Sequence, residues 1–362
     1  MVEAIPFRRA DAAVRPESQD LLLVIGGSRY GGWTEITVVR SMEAGSGQFE
    51  IAYTAGPASD REIKAGDRCV VELAGRPVIA GWVDRTQRSW AAGAHGLSVS
   101  GRDATADLVD CTALHSPAEW RGMKLEDMAG ILAAPFGVPV TADTETGARF
   151  DAFRLEHGET AWEAIERACR IRGCLALPDG AGGLVITRAG AQGAASGLLT
   201  GSSSGNVLTW SLDDDHTDRY SAYQVLAQRP GGDDEAPADY CHVRGEARDP
   251  AITRYRPLAL PAEDVADQAS AATRAAWEAA IRRARGLRAQ ASVVGWTDAG
   301  GALWRPNSRV RARDPWGGNR EWLIASCRYS LGDAGTITEM ELSDPDAYLP
   351  DPASPPQAGG SR

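Results

Sequence analysis

The chain has 362 residues, 43% hydrophobic and 24% charged, a balance that suits a soluble globular protein with two or three cores. Its formal net charge of −11 argues against a protein whose work is gripping nucleic acid, because phosphate binding needs clustered Lys and Arg. The longest aliphatic run, Leu21 to Ile25, falls far short of the roughly 20 residues that cross a bilayer, and residues 1–20 hold no apolar signal core, so neither a membrane span nor a secretory leader is expected.

Residues 1–20 read as an N-terminal arm and 21–104 as a first β domain. Phe49, Ile51 and Tyr53 alternate with Glu50, Ala52 and Thr54, the period of a half-buried strand. Further strands are expected at Ile36 to Arg40, Arg68 to Leu73, Val78 to Thr86 and Leu97 to Gly101, parted by glycine-bearing turns at 44–47, 74–77 and 92–93. Short strands at even spacing, with turns of this kind, suit a small barrel or sandwich.

The stretch GRDATADLVDCTALH, Gly101 to His115, gathers Asp103, Asp107, Asp110, Cys111 and His115. It has three readings: a metal site, a cysteine nucleophile with its base, or a joint between domains. The aspartates fall at i, i+4 and i+7, one face of a helix, but no glycine-bearing calcium loop accompanies them, and Cys111 with His115 makes half a zinc site. Cys111 follows the apolar pair Leu108-Val109, which suggests a buried, unreactive thiol. The joint reading is a helical turn leaving a barrel strand, with its acids capping the turn and facing solvent.

Residues 105–190 read as an inserted α+β domain. Leu125, Met128 and Leu132 predict a short helix stopped by Pro135. Thr160 and Glu163 form a capping box for a helix that buries Trp162, Ile165 and Cys169 and ends near Gly173, and a hairpin turns at Asp179-Gly180. Residues 191–205, rich in Gly, Ala and Ser, read as a flexible linker. A second β domain is expected over 206–348. Its strands are Val207 to Leu212, Arg219 to Gln228, Arg288 to Trp296, Arg309 to Arg313, Glu321 to Leu331 and Thr336 to Leu342. A mobile acidic loop is expected from Arg229 to Tyr240. A long helix over 262–285 follows Pro261, with Val265, Ala269, Ala272, Ala276 and Ala280 along one side as a candidate interface. Residues 349–362 read as a disordered tail.

Two segments, Ile63 to Thr86 and Trp304 to Ser330, resemble each other. Each runs from an apolar anchor to an arginine, Arg68 or Arg309, that opens a strand, then through a turn to an apolar strand, Val78 to Val83 or Trp322 to Cys327. Two unrelated hairpins would look the same; a true repeat makes the chain two copies of one barrel around an insert. The cysteines (Cys69, Cys111, Cys169, Cys174, Cys241, Cys327) show no CxxC pair and read as reduced structural thiols. Among His95, His115, His157, His216 and His242, none sits in a nucleophile context, and no G-x-S-x-G, H-E-x-x-H or phosphate-loop motif is present. Asp213 to His216 reads as a solvated acidic turn, and Trp33, Trp82, Trp210, Trp296, Trp304 and Trp322 as core aromatics on or beside strands. No catalytic, cofactor-binding or metal-binding residue is assigned.

The ordered series GRDATADLVDCTA, EWRGMKLEDMAGILAAPFGVPV, FRLEHGETAWEAIERACRIRGCLALPDGAGGLVITRAG, RYSAYQVLAQRPG, GWTDAGGALWRPNSRVRARDPW and EWLIASCRYSLGDAGTITEMELSDPDAY resembles the baseplate hub proteins of Mu-like contractile-tailed phages. It covers nearly everything from Leu21 to Tyr348. The resemblance implies a mainly β fold with an α+β insert: two tube-type β-barrel domains, a small α+β domain and a long helix, shared with the hub portion of type VI secretion spike proteins. It implies a structural protein, not an enzyme. The expected assembly is a homotrimeric ring that adapts the sixfold tail tube to the threefold central spike, and two barrels in each of three chains supply a pseudo-sixfold face. Implied partners are further copies of the chain, the central spike protein, tail tube or distal tube proteins and, as a further candidate, the tape measure protein. DNA would pass through the lumen without specific binding, an acidic lining repelling its phosphates, and this chain would not insert in a membrane. The implied place is the virion tail baseplate, assembled in the host bacterial cytoplasm, and the junction motif becomes a structural joint. The competing reading is a tail-associated cell-wall hydrolase, which needs a cleft with paired catalytic groups.

Overall fold

The computed structural model describes residues 21–55, 63–92, 94–200, 205–227, 243–262, 268–332 and 335–350. The first strands are β1 (Leu21–Ile25), β2 (Ser28–Tyr30), β3 (Glu35–Ser41), β4 (Gln48–Ala55), β5 (Arg68–Leu73), β6 (Arg76–Ala91) and β7 (Ala94–Asp103). They pair antiparallel in the order β2-β1-β5-β6-β7-β4-β3. Alternation decides which face is buried: Phe49, Ile51 and Tyr53 of β4 point inward with Leu97 and Val99 of β7, while Glu50, Ser98 and Ser100 lie on the other face. Strand β6 runs five residues past the predicted end at Thr86. Beyond that point its side chains, Gln87 to Ala91, are exposed, so the ladder to β7, and not a buried apolar pattern, holds it extended.

The insert contains α1 (Ala106–Asp110), β8 (Glu119–Trp120), α2 (Leu125–Ala133), β9 (Val140–Ala142), β10 (Phe153–Arg154), α3 (Ala161–Ile171), β11 (Leu175–Pro178) and β12 (Leu184–Thr187). Its own core joins Leu108, Leu125, Met128, Leu132, Ile165 and Ile186. The capping box of α3 is formed on both sides: Glu163 N–H donates to Thr160 Oγ1 at 3.1 Å, and Thr160 N–H to Glu163 Oε2 at 2.8 Å. Pro135 follows the end of α2 at Ala133, where the α-helix is expected to stop. It enters a 3₁₀ turn, Ala134–Phe136, directly after α2, near a start where its missing N–H costs nothing, and Gly137 at φ +68° ends the turn. Trp162 is half-buried: it packs against the edge of the insert's core and also covers Gly45 in the β3–β4 loop.

The second part contains β13 (Leu198–Leu199), β14 (Val207–Asp214), β15 (Ala222–Ala227), β16 (Val243–Arg248), β17 (Pro257–Pro261), α4 (Gln268–Arg285), β18 (Leu287–Val294), β19 (Arg309–Arg313), β20 (Asn319–Gly332) and β21 (Gly335–Ser343). Here the order is β13-β19-β20-β21-β18-β14, and β20 also pairs with β3, so both sets of strands join in one 13-stranded sheet. Strands β15, β16 and β17 form a separate small sheet under α4.

Some expectations are corrected here. The segment expected as a flexible linker is docked where it is described: Leu198 is buried, Ala195 N–H donates to Arg309 O and Arg309 N–H to Gly193 O, each at 2.8 Å. Small residues let this backbone lie along the edge of β19 in a parallel ladder. The long helix agrees with its expectation: α4 packs within the chain through Ala271, Ala275, Ala279, Ile281 and Ala284, and the side expected as an interface stays open, with Ala269 and Ala276 exposed and Ala272 and Ala280 half-buried. Alanines fall on every side of this helix, so periodicity alone does not say which side packs within the chain. At the C-terminal end, Leu349 is fixed by Trp277 Nε1–H donating to its carbonyl at 3.2 Å. The expected N-terminal arm, the acidic loop Arg229 to Tyr240, Cys241, the start of the long helix at 263–267 and the tail beyond Pro350 lie outside the described residues.

Candidate functional site

The residues of GRDATADLVDCTALH go to different places. Asp103 ends β7 and is buried, not solvent-facing; its carboxylate accepts Gly47 N–H at 3.0 Å and Ala80 N–H at 3.1 Å. Burial pushes its carboxyl up to about 6, against the opposing effects of Arg40 and of those two hydrogen bonds. Asp110 faces solvent and takes a forked bond from Arg102, at 2.8 and 3.2 Å, while Arg102 also reaches Asp84 at 2.8 Å. The Arg102 hydrogen bond holds the Asp110 carboxyl below its usual range. His115 lies against Trp120, ring centres 5.0 Å apart, with Nδ1 2.8 Å from Pro117 O. Cys111 is exposed, contrary to expectation, because α1 ends at Asp110 and the chain leaves extended. The fragment therefore closes the sheet (Asp103), clamps α1 to it (Asp110 with Arg102) and hands the chain to the insert. Among the described residues no group of three His, Cys, Asp or Glu side chains converges on a metal position. The other described thiols, Cys69, Cys169, Cys174 and Cys327, are buried, and burial pushes those of Cys69 and Cys327 up to about 12.

What the chain builds with precision is its sheet. In the first part Arg68 faces Trp82, Val83 faces Gly101, Gly101 faces Phe49 and Phe49 faces Val38. In the second part Arg309 faces Leu323, Ile324 faces Leu342, Leu342 faces Ala289 and Ala289 faces Leu212. The two ladders match in order and register strand for strand, β5-β6-β7-β4-β3 with β19-β20-β21-β18-β14. Both carry a bulge one step after the matched pair, at Val83/Arg85 and at Ile324/Ser326. The β6–β7 reversal closes at Ala91 and Ala94 and the β20–β21 reversal at Gly332 and Gly335, again matched positions. The repeat read in the sequence is thus the centre of a larger one. Sequence reasoning missed β4/β18 and β3/β14 because only strand register, and not residue identity, is shared there.

The matched strands present a polar face opposite the core. Thr37, Ser98, Ser100, Thr209, Ser211 and Ser292 stand on it, with Thr209 and Ser292 hydroxyls 2.5 Å apart. The acids Glu50, Asp213, Glu339 and Glu341 are interspersed with Arg85, Arg102, Arg288 and Arg328, and Ser326 Oγ–H donates to Glu341 at 2.9 Å. This is a hydroxyl-rich, mixed-charge surface and not an acidic one: the negative charge of the whole chain is not concentrated here.

Comparison with known proteins assigns the chain along its length. The Mu phage baseplate assembly protein GpP-like N-terminal family matches residues 20–103, and the baseplate hub protein gp44-like second-domain family 105–188. The tail protein NMB1110-like third-domain family matches 219–276 and the Mu phage baseplate assembly protein GpP fourth-domain family 267–351. The baseplate hub protein gp44 of Escherichia phage Mu is 37% identical over 301 residues, 81% of this chain and 78% of that protein. The chain belongs to the Mu-type baseplate hub proteins. Among solved structures, the hub chain is similar to the 43 kDa tail protein of prophage MuSo2 from Shewanella oneidensis, with TM-score 0.80 and 34% identity over 91% of this chain and 99% of that one. It is also similar to the tail protein of Neisseria meningitidis MC58, with TM-score 0.76 and 25% identity over 94% and 100% of the two chains. The hub chain is a structural component of a phage tail baseplate and not an enzyme. The phage hub-like fold expected from the sequence, mainly β with an α+β insert and a long helix, is the fold found.

Proposed function

We propose that the hub chain forms a trimeric ring that converts the sixfold symmetry of a tail tube into the threefold symmetry of a central spike, with DNA passing through its bore. One observation carries this reading: the two matched sets of strands share the β6–β7 and β20–β21 reversals and differ in what leaves the opposite end. The β6–β7 and β20–β21 reversals share one end of the sheet and are equivalent, so three chains present six alike edges there. At the opposite end the β3–β4 connection is a short loop, whereas its counterpart between β14 and β18 holds β15, β16, β17 and α4. The insert leaves from the end of β7 at that same end, after Asp103. Three chains thus carry three inserts and three helical units on that side, a threefold surface fit for a spike protein, while tube proteins take the sixfold side.

The polar face supports the conduit. DNA phosphates are held by clustered Lys and Arg; arginines spaced among acids and hydroxyls offer no continuous track. The domain division follows the same logic: a first sheet unit at 21–104, an insert at 105–190 and a second unit at 206–348, assembled in the host cytoplasm as part of the baseplate. The purified protein is expected to have the native mass of three chains by light scattering, with class averages showing a threefold ring with an open centre. A protein that stays monomeric with its spike and tube proteins added sinks this reading.

A further inference from the structure

The one internal junction of the sheet is a template for a junction the single chain does not make. Inside the chain the second half of β20 pairs with β3, from Ser326 opposite Ser41 to Leu331 opposite Ile36. The counterpart of this stretch in the first part is Arg85 to Trp90 of β6, and the counterpart of β3 is β14. On the side away from β7, no described strand pairs with Arg85 to Trp90, and β14 ends the sheet with β18 as its single described neighbour. Both are backbone edges with ladder groups to offer, a feature that a lone molecule in water leaves at risk.

The geometry points to a heterologous strand pairing between copies of this chain, in which Arg85 to Trp90 of β6 binds antiparallel to residues 210–215 of the next copy. Transferring the internal register gives Arg85 opposite Asp215, Gln87 opposite Asp213, Arg88 opposite Leu212, Ser89 opposite Ser211 and Trp90 opposite Trp210. This deepens the ring reading above and rests on it for the number of copies; the register comes from the internal junction alone.

Three independent features fit. The face parity is right: Arg88 and Trp90 lie on the core side of β6, opposite Leu97 and His95, and Trp210 and Leu212 lie on the core side of β14, opposite Ala291 and Ala289. The charges are complementary, since Arg85 meets an aspartate in a row of three, Asp213, Asp214 and Asp215. The apolar ends match as well. Trp90 is 75% exposed and Leu212 39% exposed, while Trp210, packed edge-on against Trp322, has an indole N–H with no acceptor. In the internal template that same position is the apolar pair Leu331 and Ile36.

The test uses particles assembled with a variant chain carrying Ser89→Cys and Ser211→Cys, oxidised with diamide and run on a non-reducing gel. The expected result is covalent dimers and trimers of the hub chain, absent from each single variant and from an off-register pair, Ser89→Cys with Asp213→Cys. Rings that assemble but cross-link no better than the off-register pair overturn the pairing and leave the hub reading intact. Particles in which the wild-type chain forms no ring overturn both. A charge exchange gives a second readout without thiols: Arg85→Asp is expected to lower ring yield at least tenfold, and adding Asp215→Arg to restore it. Equal yields from the single and double variants also overturn the register.

Discussion

Asp103 shows how one residue of the junction is tuned. Its folded carboxyl titrates at about 6, above the ordinary aspartate value near 3.8, because burial disfavours the charge more than two backbone N–H groups favour it. A raised folded value means the protonated form is the one the fold prefers. Its stabilising contribution is therefore complete below about pH 4 and is lost as pH rises through 6. Against an Asp103→Asn variant, the wild type should lose roughly 3 kcal/mol of its advantage between about pH 4 and pH 7. Carboxylates with lowered values, such as Asp110 and Asp298, slope the other way but are common to both proteins and cancel in the difference. Urea unfolding of the pair across that range measures it; a constant difference would show that Asp103 ionises freely in the fold. The sequence displayed Asp103 as one of three equivalent acids, and only the close approach of Gly47 and Ala80 to β7 sets it apart.

At the scale of elements, legibility followed contrast. Strand β5 was readable to the residue because Cys69, Val71 and Leu73 recur at every second position up to the turn at Ala74-Gly75, and α3 because a capping box fixes its start. The hairpin of β11 and β12 was readable from its turn at Asp179-Gly180, whereas β8, β9, β10 and β17 were not, since two to five residues give no period, and a prolonged β6 was not, since its outer half is held by pairing alone. Helix α4 was visible as a helix, and the alanine side expected as an interface is its open side, with Ala269 and Ala276 exposed. What decides the face is Gly245 on β16: a Cβ there would lie 2.0 Å from the Ala271 backbone, so the helix seats itself where glycine lets it approach. Gly245→Ala should force α4 off its sheet and cost about 3 kcal/mol, in the range of overpacked cores. Ala276→Ser, on the exposed side, should change stability by less than about 0.5 kcal/mol. Thermal unfolding of both variants separates them, and similar losses would mean that the side bearing Ala276 is packed as tightly as the side against Gly245.

At the scale of the molecule, the matched half-sheets turn a single-chain fact into a ring-wide one. Glu50 and Gln290 occupy equivalent positions on the polar face, beside Phe49 and Ala289 in the two ladders. In the trimer proposed above, a chain carrying Glu50→Lys and Gln290→Lys would place six ammonium groups at one level, where the wild type would have three carboxylates and three amides. If this face lines the bore, six lysines make a collar for DNA phosphates, and release should slow severalfold at low ionic strength. The effect should fade as salt shortens the Debye length from about 30 Å at 0.01 M to about 8 Å at 0.15 M. Glu50→Gln removes charge without adding a phosphate partner and should leave release unchanged, because a hydroxyl-rich, mixed-charge lining works by lack of grip and not by repulsion. Fluorescence-timed DNA release from particles at the two salt levels reads this directly. Lysine variants that assemble normally and release DNA at the wild-type rate in low salt would put the polar face on the outside of the ring, and would leave the bore to the loops at the two ends.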